Sequence, residues 1–384
     1  MDYCLSNHTI CAPQPLPSAL KPDSLRVSDL GRRIACARPR LPRRRPLAVT
    51  AGPSHCESSS LNTPLVPRSA VGKYLSRVLQ NQRQLFHVAV SEELKLLADD
   101  RDSAVARMVL SDGSDEACLH RRIVELKERD CRNTIEDVMY MLILFKFSDI
   151  KVQLVPKLSR CIYNGRLEIW PAKDWELESI YSYDVLEMIK EHVYAVTGLR
   201  PKSSVTDHWA TTQVCLWHLS NIYAASILYG YFLKSASTRY RLEQTLSLSD
   251  SDQGILRNSL QPSKTWPYGW NNLVLGKRGN ETEPSPLDQT STKLSCYMMG
   301  FDSETLRRCA KVRSTVATEL IEKQTIALFG DRRSLVSTGK EMGGQVIRTS
   351  FSSLKRLVLE AVAFGSFLWD IEEHVDSVYS IRGR

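Results

Sequence analysis

With 384 residues, of which 42% are hydrophobic and 24% charged, the chain can bury cores for two or three domains. No stretch reaches the 18 apolar residues of a membrane-spanning helix. The formal charge of +8 would point to an anionic partner if it were spread over the folded body, but residues 1–51 hold nine basic and three acidic side chains, leaving 42 basic against 40 acidic in the rest. That near-neutral body argues against nucleic-acid binding, because phosphate neutralisation needs clustered Lys and Arg.

The head is the source of the charge. RIACARPRLPRRRPLAVTAG (33–52) is rich in Arg and Pro and contains no carboxylate, and the head lacks the apolar run of a secretory signal. It reads as a plastid transit peptide over 1–51, with cleavage expected after Cys36 or Ala51. A nuclear-localisation or nucleic-acid reading of RPRLPRRRP is the rival. Of the ten cysteines, Cys4, Cys11 and Cys36 lie in this head. The other seven include no C-x-x-C pair and read as mostly reduced thiols.

Residues 52–68 are Pro- and Ser-rich and are expected to form a disordered tether. An N-terminal helical region with a hairpin is expected over 69–170. Leu75, Val78, Leu79, Leu85, Val88, Leu94 and Leu97 recur at helical spacing, and a polar break at 111–116 precedes a second helix running to about Phe147. Ser111 or Ser114 is expected to cap that helix. Asn164-Gly165, between short apolar segments, predicts a β-hairpin near 158–170 because such a pair tolerates the positive φ of a tight turn. The apolar runs Val138 to Phe145 and Ile222 to Leu233 suit buried helices. Residues 247–293 read as a flexible linker, with WPYGW and GKRG as a weak signal for single-stranded RNA.

Two pairs of segments match without gaps. VLEMIKEHVYAVTG (185–198) lies over ATELIEKQTIALFG (317–330), and LSNIYAASILYGYFLK (219–234) over LKRLVLEAVAFGSFLW (354–369), at offsets of 132 and 135. The chain is therefore expected to be mainly α, with a duplicated helical domain in which copy 1 spans 171–246 and copy 2 spans 294–381. In each copy an amphipathic helix ends at a glycine, Gly198 or Gly330, and is followed by a bridge and a long apolar helix. Gly230 and Gly365 lie inside the long helices, where glycine costs about 1 kcal/mol relative to alanine. Close helix packing, on a face made small by Ser226 and Ala361, is the expected compensation.

The blocks SAVGKYLSRVLQNQRQLFHVAVSEELKLLADDRD, RNTIEDVMYMLILFKFSDIKVQLVPKLSRCIYNGRLEIWPAKDWELESI, GYFLKSAS and SFSSLKRLVLEAVAFGSFLWD resemble the plant chloroplast UV-B-induced proteins, from about Leu61 to Tyr379 outside the linker. Their repeat unit is a domain of unknown function shared with small cyanobacterial proteins. The resemblance implies a plastid location, an association with light stress and a mainly helical repeated domain. It implies no reaction, cofactor or catalytic residue.

Candidate sites are weak. Asp99, Asp100 and Asp102, with Glu92 and Glu93 upstream and Arg101 among them, fit no cation-binding loop and read as a solvated helix end. Cys215 and His218 sit three apart on an expected helix, with His208 too far along the axis to share a metal, and they read as packing. His87, His120, His192 and His374 have no nucleophile motif beside them. GDRRSLVSTGKE fails the P-loop pattern at Ser334, and MGGQV (342–346) places two glycines before a possible strand. Arg121, Arg122, Lys127 and Arg129 alternate with Glu125, Glu128 and Asp130 as a solvated face. No catalytic, metal or cofactor-binding residue is assigned, and no cofactor is expected. The expected role is that of a non-enzymatic stromal interaction or regulatory protein with a plastid protein partner and an unknown small ligand. An enzyme with an unrecognised site is the alternative, and its mark would be polar residues present in one copy, absent from the other and converging on a pocket.

Overall fold

Three helices follow from the apolar spacing of the N-terminal region: α1 (Ala70–Asn81), α2 (Phe86–Leu110) and α3 (Ala117–Asp149). They belong to a computed structural model that describes residues 62–198, 210–252, 294–330 and 346–381. The expected presequence, most of the tether, WPYGW, GKRG, His208 and Ser334 lie outside the described residues. The Ser69 hydroxyl caps α1 by accepting from Gly72 N–H at 2.9 Å. Just before it, the last residues of the expected tether are held in place, since Asp137 Oδ2 on α3 accepts the N–H groups of Arg68 at 2.8 Å and Ser69 at 2.6 Å.

Ser111 and Ser114 do not cap α3. Their hydroxyls donate back to the carbonyls of Met108 (3.0 Å) and Ser111 (2.7 Å), closing the end of α2, and the residue at the N-cap of α3 is Glu116 without a side-chain bond. Hydroxyls in this break can satisfy either the last carbonyls of one helix or the first amides of the next. Here the carbonyls win. From Val138 to Phe145 every residue of α3 is buried, which explains the unbroken apolar run.

The hairpin forms as expected. Strands β1 (Ile162–Tyr163) and β2 (Arg166–Leu167) pair antiparallel around Asn164 and Gly165, at φ of 50° and 72°. Such short strands are marginal alone, and β2 continues into a four-stranded sheet in which its other neighbour is the strand over 346–350, with the strand over 211–215 at the far edge. There β3 (Thr211–Cys215) runs antiparallel to β4 (Val346–Ser350), so MGGQV does lead into a strand. Cys215 ends β3 and is not helical.

Between them lie α4 (Asp174–Glu178), α5 (Tyr183–Thr197), the long α6 (Leu216–Asp252), α7 (Ser303–Ala310) and α8 (Thr315–Phe329), with a short helical segment over 294–299. Helix α6 runs six residues into the stretch expected to be linker. The final helix α9 (Phe351–Tyr379) is buried along most of its length. Gly198 closes α5 in the left-handed region at φ 73°, and Gly330 closes α8 at φ 95°.

Helices α6 and α9 cross at their glycines. A Cβ on Gly230 would stand 2.0 Å from the Val362 carbonyl oxygen, and one on Gly365 would stand 1.9 Å from that of Ile227. Shifting Gly230 and Ile227 by 135 residues gives Gly365 and Val362, so each helix presents the same pair of positions to the other. The β3–β4 register behaves likewise, with Gln213 opposite Arg348, its own counterpart at that offset. Short helices pack on the opposite long helix, α4 and α5 on α9, α7 and α8 on α6. The core is thus a crossed pair of long helices with exchanged flanking helices, covered by α1 to α3.

Candidate functional site

Buried charges mark where a fold tolerates cost, because taking an ion out of water is expensive unless it is paired and hydrogen-bonded. Arg356 and Glu360, one turn apart on α9, are 2% and 0% exposed. Arg356 Nη1 lies 3.0 Å from Glu360 Oε2, which also accepts the Val155 N–H at 3.0 Å. Arg356 Nη2 donates to the Gln153 carbonyl at 2.9 Å. The couple therefore ties the loop after α3 to the last helix. Burial pushes the Glu360 carboxyl above its ordinary value, against the pull of Arg356 and the Val155 amide. Three buried atoms of the couple, Arg356 Nε and Nη1 and Glu360 Oε1, have no hydrogen-bond partner among the described residues, although Nη1 keeps its ion-pair distance to Glu360.

Arg356 also forms part of the wall of a 540 Å³ cavity between this loop, the hairpin and the segment leading to α4. Lys151, Arg160 and Lys173 line the same cavity, with Glu168 as its single acidic residue among the described ones and Trp170 and Pro171 beside it. Arg160 Nη1 donates to Asn62 Oδ1 at 3.0 Å, Lys173 pairs with Glu176 at 2.6 Å, and Glu168 pairs with Arg166 at 2.9 Å. Trp170 is 80% exposed. Cys161 lines the cavity too, but burial pushes its thiol up and away from the reactive thiolate. Among the described residues, no histidine lines this cavity.

Other buried polar groups are committed to packing. Glu372 accepts from Tyr231 Oη and from Ser314 N–H, each at 2.5 Å, anchoring the start of α8. Glu136 on α3 pairs with Lys323 on α8, and Lys355 on α9 bridges Asp174 (3.1 Å) and Glu178 (2.9 Å) on α4. His192 Nε2 lies 3.0 Å from Ser226 Oγ, a juxtaposition the sequence reading missed because 34 residues separate the two. Ser226 is wholly buried, the imidazole stacks on Tyr229 with centroids 4.2 Å apart, and burial holds His192 below its ordinary value. A nucleophile needs access to substrate, so this contact packs α5 on α6.

The remaining sequence candidates do not converge. Asp99, Asp100 and Asp102 lie within α2 and not at its end; Asp100 pairs with Lys127 on α3 at 2.5 Å and Asp102 with Arg101 at 2.9 Å. His87 packs edge-on against Phe145, and His374 is held below its ordinary value by burial. His120 on α3 has a buried Nδ1 without a hydrogen-bond partner among the described residues. Cys215 and His218 join no group of three or more metal-ligating side chains among the described residues. Arg122 pairs with Glu125 at 2.9 Å on the exposed face of α3. No helix among the described residues is long and apolar enough to cross a membrane. The signal for the Arg356–Glu360 couple was present in the sequence as two charges inside an apolar helix, but its partners are backbone groups 203 and 205 residues away.

Fold and site together define a mainly α protein with a crossed pair of long helices, one small mixed sheet and a basic cavity beside a buried Arg–Glu pair. The chain is 35% identical over 359 residues to a chloroplastic UV-B-induced protein of Arabidopsis thaliana, an alignment covering 88% of this chain and 83% of that protein. Residues 118–246, from the start of α3 into α6, match a family described as a protein of unknown function, DUF760. The chain belongs to the family of chloroplastic UV-B-induced proteins that carry this domain. No solved structure matches it.

Proposed function

We propose that the chain is a non-enzymatic interaction or regulatory protein of the chloroplast stroma, associated with UV-B or light stress, in which two copies of one helical unit build a frame for a binding site. The observation that carries this is the asymmetry of the crossed helices. Arg356 and Glu360 on α9 correspond, at the offset of 135, to Asn221 and Ala225 on α6. A polar couple present in one half and absent from the other, at a cavity wall, is the placement expected of a functional site. Its chemistry is that of binding: the guanidinium is paired with Glu360, the cavity thiol is raised by burial, and the carboxylate that lines the cavity, Glu168, is paired with Arg166.

Duplication is supported by the β3–β4 register and by the reciprocal approach of Gly230 and Gly365. Plastid targeting is supported by the relative's chloroplastic designation and by the Arg-rich, acid-poor head, which is read as a transit peptide. The near-neutral body weighs against RNA binding. An enzyme remains the second reading, because the placement of Arg356 and Glu360 meets its structural condition.

The test is purification of the mature protein from intact chloroplasts, followed by mass spectrometry of its N-terminus and of co-purifying proteins and metabolites. An N-terminus at Ala37 or Gly52, together with a stoichiometric protein partner, is expected. A nuclear protein that retains Arg43 to Arg45 overturns the targeting, and turnover of a bound metabolite overturns the non-enzymatic role.

A further inference from the structure

We infer that the cavity walled by Arg356 binds a small aromatic carboxylate, its anionic group held by Lys151 and Arg160 with Arg356 behind them and its ring laid against Trp170. The inference rests on the binding role proposed above and gives that role a ligand class. The first argument is charge. Four basic residues and one acid line the cavity; Lys173 and Arg356 have carboxylate partners, whereas Lys151 and Arg160 have none among the described residues. Two unneutralised cations suit one carboxylate better than a polyphosphate, which would bring excess charge beside Glu168.

The second argument is the unsatisfied guanidinium. Arg356 is 2% exposed, and its Nε and Nη1 have no hydrogen-bond partner among the described residues. Buried donors are almost always paired, and a ligand oxygen seated against this wall residue would supply one of the missing partners. The third is Trp170, whose residue surface is 80% exposed next to the cavity although indole is among the most apolar of side chains. A flat ring stacked there would remove apolar surface from water and gain the favourable offset geometry of aromatic pairs. The fourth is preorganisation. Glu360 holds the Val155 amide and Arg356 the Gln153 carbonyl, so the loop bearing Lys151 is fixed before any ligand arrives. At 540 Å³ the cavity falls within the roughly 300–1,000 Å³ range of small-molecule sites.

The test uses the full chain and three probes: 1-naphthoate, its neutral counterpart 1-naphthalenemethanol and the non-aromatic cyclohexanecarboxylate. Binding is read by calorimetry and by saturation-transfer NMR. 1-Naphthoate is expected to bind saturably and about tenfold more tightly than either comparison probe. The double variant Lys151→Gln with Arg160→Gln changes two exposed side chains, so it should keep the parent melting temperature while weakening 1-naphthoate about tenfold. Trp170→Ala should abolish the preference for 1-naphthoate over cyclohexanecarboxylate. Absence of saturable 1-naphthoate binding, equal binding of the neutral probe, or undiminished affinity in the double variant overturns the inference. New NMR signals from a transformed probe would instead overturn the non-enzymatic role and leave the ligand class standing. A stoichiometric plastid partner with no affinity for 1-naphthoate would do the reverse.

Discussion

Helices α6 and α9 meet as near-equivalents at their crossing and as strangers one or two turns away. At the crossing, Gly230 faces the Val362 carbonyl and Gly365 faces the Ile227 carbonyl, each so closely that no side chain fits. Away from it, α9 buries Arg356, Glu360 and Glu372, whereas the matched positions of α6 hold Asn221, Ala225 and Ser237. Backbone-to-backbone contact leaves no latitude, so both helices solve it with the same residue. Side-chain layers farther out can be filled in several ways, and there the two helices diverge in chemistry.

The largest effect should come from the divergent layer. Arg356→Met leaves Glu360 buried without its counter-charge, and stability should fall by about 3–5 kcal/mol in urea denaturation. Adding Glu360→Leu should recover most of that loss, because a buried ion pair replaced by apolar side chains of similar volume is often neutral. If the double variant is as unstable as the single one, the couple matters for its hydrogen bonds to Gln153 and Val155 more than for its charges.

Next come the glycines. Gly230→Ala and Gly365→Ala each place a methyl against a backbone carbonyl that belongs to a packed helix and cannot rotate aside. Each should cost about 3 kcal/mol, at the upper end of overpacking. Near-equality of the two costs is the sharper expectation. A clear inequality would show that one helix can yield where the other cannot, and would break the equivalence at the crossing.

A smaller contrast is available at Glu372 and Ser237. Glu372 holds Tyr231 Oη and the Ser314 amide at once, and burial together with the adjacent carboxylate raises the Tyr231 phenol. Glu372→Gln offers one acceptor where two are needed, and should cost about 1–2 kcal/mol. Ser237 donates only to the Lys234 carbonyl within its own helix. Ser237→Ala should stay within about 0.5 kcal/mol of the parent.

What the sequence made legible was local or periodic. Asn164-Gly165 specifies its turn by backbone tolerance alone, the run from Val138 to Phe145 announces a buried helix by composition, and the spacing of Gly230 and Gly365 within matched apolar segments announces close packing. The failures share a different cause. Ser111 and Ser114 sit between two helices that both need partners, and which is served depends on tertiary geometry. Arg356 and Glu360 have the i, i+4 spacing of an exposed pair, and only the fold shows that α9 is covered by α3 and its following loop. The cavity residues come from three separate stretches, near residue 62, from 151 to 173, and at 356, so no single motif could bring them together.

The smallest effect concerns His192, whose matched position on α8 is Gln324. Gln324 donates to Tyr223 Oη at 3.2 Å and does not titrate, whereas burial holds the His192 imidazole below its ordinary value. Its unfolded-state value is about 6.5, so below neutral pH the unfolded chain binds a proton that the native chain resists. The histidine's contribution to stability is therefore present above the unfolded value and is lost as pH falls through it toward the folded one. His374 is lowered too and acts in the same direction, while the raised carboxyls of Glu136 and Glu360 act in the opposite one. The net slope thus mixes several groups, but the difference between parent and His192→Gln isolates one. Between pH 7.5 and 5.5 the variant should lose less melting temperature than the parent, making α5 resemble α8 in its indifference to acid. Parallel curves for the two proteins would mean that His192 is protonated as readily in the native state as in the unfolded chain, and that its contact with Ser226 survives the added charge.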